Sequence, residues 1–229
     1  MVRDWFRKGR LGTIGCLALL AAVFTGGTAY GVAQTITATD NVFSAASYTM
    51  DQGDRPPFTN AGLNSHNATA SGNGPDGKPL FSSPTIGTGS TSLNGTQYLT
   101  AGSYGFICTI HPTTMIATLV VSGNGTPVAR PSLSLTVQSK KLDKVASKGK
   151  LQVAVNASTK VDGASLEAKL GNASLAKVTN LSLAAGSQSV TLKLNKAAKS
   201  KLAKKSKATV SVEGTVPFGA TASAKGKLK

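Results

Sequence analysis

The rare sulfur and imidazole side chains of this sequence are concentrated in one short segment. The chain holds 2 histidines and 2 cysteines in 229 residues, and the stretch FICTIHPTTM alone contains Cys108, His111 and Met115. A thiolate, two imidazoles and a weak thioether ligand form a type 1 copper site. The sequence supplies this complete set through His66, Cys108, His111 and Met115. Zinc is the alternative metal, although a single thiolate with two imidazoles and a thioether suits copper better.

The spacing of these residues allows them to meet at one point. Two residues separate Cys108 from His111, and three separate His111 from Met115. Alternation along GFICT places Phe106 and Cys108 on one face at the end of a strand, and the turn that follows is stiffened by Pro112. His66 comes from an earlier segment, after the predicted strand PPFTNAG, so it would close the site from a neighbouring loop.

Each candidate ligand also has an ordinary structural explanation. A lone cysteine on a strand is usually a small buried apolar residue, a methionine usually fills a core, and a loop histidine is usually solvated. Taken together, these structural explanations are less convincing than a metal site, because both histidines and the only cysteine after residue 33 fall on one ligand pattern.

The N-terminus has the composition of a targeting signal. Basic MVRDWFRKGR precedes the apolar run LGTIGCLALLAAVF, and small residues follow in GGTAYGVA. We therefore predict that residues 1–33 are a signal peptide and that the protein is exported, either secreted or held at the cell surface. The alternative is an uncleaved membrane anchor, but Thr25–Thr28 shorten the apolar run below the roughly 20 residues that a span needs. Cleavage would remove Cys16 and leave Cys108 as a lone thiol that needs burial or a metal outside the cytoplasm.

The remaining chain divides by charge into two predicted domains. Residues 34–129 carry a net charge of −2, whereas residues 130–229 hold 19 basic and 4 acidic residues, a net of +15. We predict a first domain at 34–122, a linker at 123–131 and a basic second domain at 132–229.

Both domains are predicted to be all-β. Short apolar stretches such as SYTMDQGD and MIATLVVSG, separated by turn residues, predict a small sandwich or barrel for the first, with long loops and one or two strands in residues 67–97. Alternation around Leu133, Leu151, Val190 and Val210 predicts a second sandwich of immunoglobulin-like size. Residues 195–207, NKAAKSKLAKKSK, are predicted to form one or two helical turns.

The site motif resembles that of the cupredoxins, and above all the small plastocyanin- and amicyanin-like blue copper proteins. The shared pattern is Tyr104-x-Phe106-x-Cys108-x-x-His111-Pro112-x-x-Met115, preceded by Ser65-His66-Asn67, within residues 34–121. Ala117 departs from it, because the family often has glycine there.

The resemblance implies a Greek-key β-sandwich that holds one copper ion, which cycles between Cu(I) and Cu(II). His66, Cys108 and His111 would be equatorial ligands and Met115 the axial one. Asn67 would join the two ligand loops by hydrogen bonds, Pro112 would support the turn behind the ligands, and His111 would form the exposed edge used by electrons. The basic half resembles lysine-rich immunoglobulin-like modules of exported bacterial proteins.

A ligand set with no vacant position favours one-electron transfer over catalysis, so we expect an electron carrier with a protein redox partner, not an enzyme. The alternatives are a copper-handling protein without a redox role and an envelope-binding structural module whose copper site is not functional. The lysine-rich half is expected to contact an anionic cell-envelope polymer or a membrane surface, unless it is only a soluble spacer. Nucleic acid is not expected, because Phe218 is the sole aromatic residue of that half and bases would have nothing to stack on.

Overall fold

The computed structural model describes residues 33–229, so the predicted signal peptide lies outside the described residues except for Ala33. The strands in this range are Ile36–Thr39 (β1), Val42–Phe43 (β2), Ser47–Gln52 (β3), Pro57–Asn60 (β4), Thr69–Ala70 (β5), Gly89–Ser92 (β6), Gly102–Ile107 (β7), Ile116–Gly125 (β8), Leu133–Val137 (β9), Lys150–Ala157 (β10), Val161–Leu170 (β11), Ala173–Leu183 (β12), Gly186–Lys193 (β13), Ala208–Thr215 (β14) and Ala222–Leu228 (β15). The helices are Leu142–Lys148 (α1), Lys196–Ala203 (α2) and a 3-10 helix at Thr96–Tyr98. None of the helices in residues 33–229 is long and apolar enough to cross a membrane.

Two four-stranded sheets form the first half of the described chain. Their strand orders are β2-β1-β4-β6 and β3-β8-β7-β5, with parallel pairing between β1 and β4 and between β3 and β8. Burial alternates along β8, where Leu119 and Val121 point into the core. The buried side chains of both sheets form one cluster, in which the rings of Phe81 and Phe106 lie 6.1 Å apart. This part of the chain is therefore an all-β sandwich, as predicted.

The second half is a separate β-sandwich with its own core. A three-stranded sheet, β13-β10-β9, and a four-stranded sheet, β12-β11-β14-β15, enclose a cluster built from aliphatic side chains such as Leu151, Leu166 and Val212. The alternation that predicted β9, β10, β13 and β14 is confirmed. The immunoglobulin-like topology and the domain limits stay predictions.

The two α-helices of the described chain lie in this second half, and the sequence predicted one of them. The predicted turns at 195–207 are α2, which begins after Asn195, whose side chain accepts a hydrogen bond from the Ala198 N–H at 2.7 Å. The helix α1 was missed, because seven residues are too few to show a helical period clearly. It buries Leu142 and Val145 and ends at Gly149, whose φ of 65° suits glycine.

The strand β8 extends into the segment that was predicted as a linker. The strand β8 continues to Gly125, which pairs with Gln52 of β3, although residues 123–125 lie within the predicted linker. Glycine and asparagine usually mark a loop, but here β8 continues to pair with β3 after a register shift, and Gly125 adopts a left-handed φ of 73°.

Candidate metal centre

Three of the four predicted ligands converge at one end of the first sandwich. The Sγ atom of Cys108 lies 3.8 Å from Nδ1 of His66 and 3.8 Å from Nδ1 of His111. The three groups can each offer a ligand atom within 4.8 Å of the others. His66 and Cys108 are completely buried, whereas His111 is half-buried. The two imidazole rings are tilted by 51°, with centroids 5.0 Å apart.

The loop between β7 and β8 places Cys108 and His111. These strands pair as far as Ile107 and Ile116, which fixes the two ends of the loop. The Cys108 N–H donates to the Met115 carbonyl at 3.1 Å, and the His111 N–H donates back to the Cys108 carbonyl at 3.1 Å. The Met115 N–H in turn donates to the His111 carbonyl at 2.9 Å. The loop is therefore closed on itself by its own backbone.

A backbone bridge holds His66 in place on the opposite side. The His66 N–H donates to the Ile86 carbonyl at 2.9 Å, and the Ile86 N–H donates to the His66 carbonyl at 3.0 Å. Nearby, Asn60 donates from Nδ2 to the carbonyls of Asn64 and Ile86, at 2.7 and 3.1 Å. The segment after β4 is thus anchored before it reaches the site.

Asn67 connects the two loops. Its Oδ1 atom accepts a hydrogen bond from the Thr109 N–H at 2.9 Å, and its Nδ2 atom donates to the Thr109 and Thr85 hydroxyls at 2.7 and 2.8 Å. Because Asn67 follows His66 and Thr109 follows Cys108, these bonds fix the distance between two candidate ligands.

The other two predicted site residues are placed differently. Met115 is completely buried and joins the Cys108 loop through its backbone, while its role as an axial ligand stays a prediction. Pro112 is exposed in the turn after His111, where its ring restricts φ.

The distances around Cys108 fit a metal ion. Bonds of about 2.0 Å to nitrogen and about 2.3 Å to sulfur, at trigonal angles, separate the sulfur from each nitrogen by about 3.7 Å. The observed 3.8 Å agrees with that separation. As a metal-free alternative, the thiol proton could bond to only one of the two imidazoles at a time. The donor set and its spacing therefore fit a soft or borderline metal.

The electrostatics of His66 also favour a metal ligand. Burial lowers the pKa of His66, the neighbouring His111 lowers that pKa further, and Asp40 acts in the opposite direction. A neutral imidazole is the form that binds a metal. The Nε2 atom of His66 is buried without a hydrogen-bond partner among the described residues. Nδ1 of His66 is the candidate ligand atom, because it is the ring nitrogen that lies 3.8 Å from the Cys108 sulfur.

The residues that brace the site were mostly missed by sequence reasoning. Asn60, Thr85 and Thr109 all support a ligand segment, yet asparagine and threonine are common and none of the three has a distinctive spacing. The position of Thr109, directly after the cysteine, is the one available signal.

Comparison with known proteins finds similar solved structures for the N-terminal part of the chain. No protein-family model and no curated protein matches the chain. A reduced amicyanin variant is 23% identical over 39% of this chain and 82% of its own, with a TM-score of 0.34. A purple cupredoxin from Nitrosopumilus maritimus is 22% identical over 38% of this chain and 98% of its own, with a TM-score of 0.32. The interpretation of the site therefore rests on its own ligands and distances.

We expect Asn67→Ala to weaken copper binding by about 10- to 100-fold, the usual cost of losing a residue that orients a metal ligand. The substitution removes the side-chain bonds that Asn67 makes to Thr85 and Thr109. Competition titration against a chelator of known affinity measures the effect. Asn64→Ala, an exposed change in the same loop, is the control and should leave the affinity unchanged. Equal affinities for all three proteins would contradict the role of Asn67.

Proposed function

We propose that this chain is an exported, cupredoxin-type protein that binds one copper ion and carries single electrons. His66, Cys108 and His111 bind the ion in this proposal, and Met115 is a weaker axial ligand. The observation that carries it is the buried Cys108 sulfur, 3.8 Å from a nitrogen of each histidine.

The chemistry of the donor set supports copper over zinc. Structural zinc sites usually use four strong ligands, whereas a single thiolate with two imidazoles and a thioether is typical of type 1 copper. Copper supplies a couple between Cu(I) and Cu(II) when it is bound. The protein residues contribute a fixed ligand geometry, exclusion of water from Cys108 and His66, and one imidazole that reaches the surface.

The bracing of the site supports an electron carrier over a copper-handling protein. Release of a metal to another protein requires the ligand loops to open, yet both are closed by backbone bonds and joined through Asn67. A rigid ligand set changes little between two oxidation states, which lowers the reorganisation that each electron transfer requires. His111 is the ligand that is partly exposed, so it is the proposed path for the electron.

The surface around His111 supports docking of a redox partner protein. Three large apolar residues close in sequence to the candidate ligands are exposed: Ile110 next to His111, Ile116 next to Met115, and Leu63 three residues before His66. Leu63 is 90% and Ile116 61% exposed. An exposed apolar patch beside a half-buried ligand suits a transient protein contact, since it dehydrates the interface without strong ion pairs.

Electrochemistry on the copper-loaded protein tests the proposed role. We expect one reversible one-electron wave, together with rapid exchange of electrons between the oxidised and reduced proteins. A copper-handling protein would instead lose its metal to a chelator on reduction or give an irreversible wave. A zinc protein would prefer zinc in direct competition and give no wave, and either result would overturn the proposal.

A further inference from the structure

The lysines of the second sandwich are concentrated at one of its ends. Residues 140–150, 193–207 and 227–229 contain fourteen of the chain's lysines and one acidic residue, Asp143. We call these lysines the lysine cap. The remaining lysines after residue 130 are Lys160, Lys169, Lys177 and Lys225. Charge is therefore distributed along this sandwich very unevenly.

Pairing and helix packing bring the three cap segments together. The helices α1 and α2 pack against each other, and the Leu194 N–H donates to the Gly149 carbonyl at 2.9 Å. The C-terminal segment joins them, because the Leu142 N–H donates to the Lys229 carbonyl and the Lys229 N–H donates to the Lys140 carbonyl, both at 2.8 Å. The cap is thus a single folded surface at one end of the sheets.

The cap lies at the end of the second sandwich that faces away from the first. The strand β9 begins next to the linker and runs toward α1, so α1 lies at the far end. The near end contacts the first sandwich. There the Phe218 N–H donates to Asp76 at 2.9 Å, its ring lies 5.8 Å from the Tyr98 ring, and the Val128 N–H donates to the Gln97 carbonyl at 2.8 Å.

The metal centre lies at the outer end of the first sandwich. The strand β8 begins beside Met115 and ends at Gly125, where the chain leaves for the second sandwich. The ligand loop and the junction are therefore at opposite ends of β8. Within residues 33–229, the candidate metal centre and the lysine cap therefore lie at opposite ends, with the junction of the two sandwiches between them.

Within the described part of the chain, no lysine of the cap forms an ion pair. Among residues 33–229, the ion pairs of lysine involve Lys160 and Lys169, which are both outside the cap. Lys150 and Lys193 are paired directly across two strands, and like charges in such positions destabilise a sheet. One surface groove is lined by five cap lysines: Lys140, Lys141, Lys144, Lys148 and Lys150. An anion in this groove would offset the repulsion.

The side chains of the cap indicate the kind of anion. None of the exposed large apolar residues in the described chain belongs to the cap, so it has no side chain to insert into a bilayer. The sole aromatic residue of this half, Phe218, is at the junction, which leaves nothing for nucleobases to stack on. The cap also contains no arginine, the residue best suited to forked recognition of a fixed carboxylate or phosphate, whereas its lysine ammonium groups bind phosphate as point charges without a required orientation.

We propose that the lysine cap binds a flexible, linear polyanion of phosphodiester-linked polyol units and thereby holds the protein with its metal centre facing outward. Many exposed ammonium groups along a groove can contact successive phosphates in several registers. Binding of this kind releases counterions and weakens steeply with salt. The inference does not depend on which metal occupies the other end.

Two variants with equal net charge test the proposal in the full chain. The cap variant is K141Q/K144Q/K148Q/K150Q, and the control is K78Q/K160Q/K177Q/K225Q, which removes four exposed lysines outside the cap. The probe is poly(glycerol phosphate), with binding measured between about 20 and 300 mM salt. Each lost contact should reduce the slope of log K against log salt by about 0.7, so the cap variant should lose up to about 3 in slope and at least about tenfold in affinity. The control should stay within about threefold of the parent.

Several results would overturn the proposal. They are absence of binding by the parent at low salt, equal loss in both variants, and a cap-dependent preference for phosphatidylglycerol vesicles or an oligothymidylate over the polymer. All proteins share the same N-terminal segment, so differences on vesicles report the substituted lysines. Circular dichroism checks folding, and K196Q/K201Q/K204Q/K205Q on and after α2 provides a second cap variant if the first does not fold.

Discussion

Cys108→Ser should abolish the intense visible absorption that the protein acquires with Cu(II). That absorption requires a thiolate bound to copper, and a serine hydroxyl is neither deprotonated nor polarisable enough to replace it. Cys108 is the sulfur atom that faces Nδ1 of both His66 and His111. The measurement is an optical titration of the apoprotein with Cu(II), and the expected result is complete loss of the charge-transfer band.

The second cysteine of the sequence provides a matched control for this experiment. In the full-length chain, which retains the predicted signal peptide, Cys16→Ser removes a thiol and should leave the band and its stoichiometry intact. Colour that survives in Cys108→Ser, or disappears in Cys16→Ser, would contradict the assignment of the ligand.

Phe106→Ala should strongly destabilise the first sandwich. The ring is completely buried and packs edge-on against the Phe43 ring, with 4.9 Å between the ring centroids. The centroids of the Tyr48 and Phe81 rings lie 6.0 and 6.1 Å from that of Phe106. Truncation of such a side chain leaves a cavity and typically costs about 3–5 kcal/mol of unfolding free energy. Because Phe106 shares a strand face with Cys108, the loss should also expose the thiol at lower denaturant. Urea unfolding, followed by the reactivity of Cys108 toward a thiol reagent, measures both effects.

Leu166→Ala is the matched control, since Leu166 is completely buried in the second core. It should lower the stability of the second sandwich by about 2–5 kcal/mol, as seen by circular dichroism, with a smaller change in the protection of Cys108. If Leu166→Ala exposed the thiol as strongly as Phe106→Ala does, the two cores would not be energetically distinct.

The ligands could be predicted from the sequence because their residue types are scarce and chemically specific. Two histidines and one cysteine after residue 33 leave few arrangements to consider, and the structure brings all three together. The supporting residues could not be predicted in the same way. Asn60 and Thr85 act through hydrogen bonds to distant segments, and those depend on the fold instead of local spacing.

Some strands of the second sandwich could be predicted from the sequence, and others could not. Alternation of large aliphatic residues predicted β10 and β13, whereas β11 was missed because alanines occupy several of its inward positions and weaken the alternation. In β11 the buried residues include Ala164 and Ala168 on either side of Leu166. The strands β12 and β15 were also missed, since polar and small residues dominate them.

The location of the basic charge is a further property that composition could not provide. The sequence shows that the second half is basic, but the direction of each strand decides at which end a lysine lies. Lys150 and Lys193 are 43 positions apart and become neighbours through the pairing of β10 with β13. The cap therefore emerges from topology, as the metal centre does.

X-ray absorption at the copper edge, combined with metal analysis of the same copper-loaded protein, tests the assignment of the three ligands. We expect one copper per chain with one sulfur at a short distance and two imidazole nitrogens in the nearest shell, supplied by Cys108, His66 and His111. A nearest shell of oxygen and nitrogen alone, or more than one copper per chain, would contradict it.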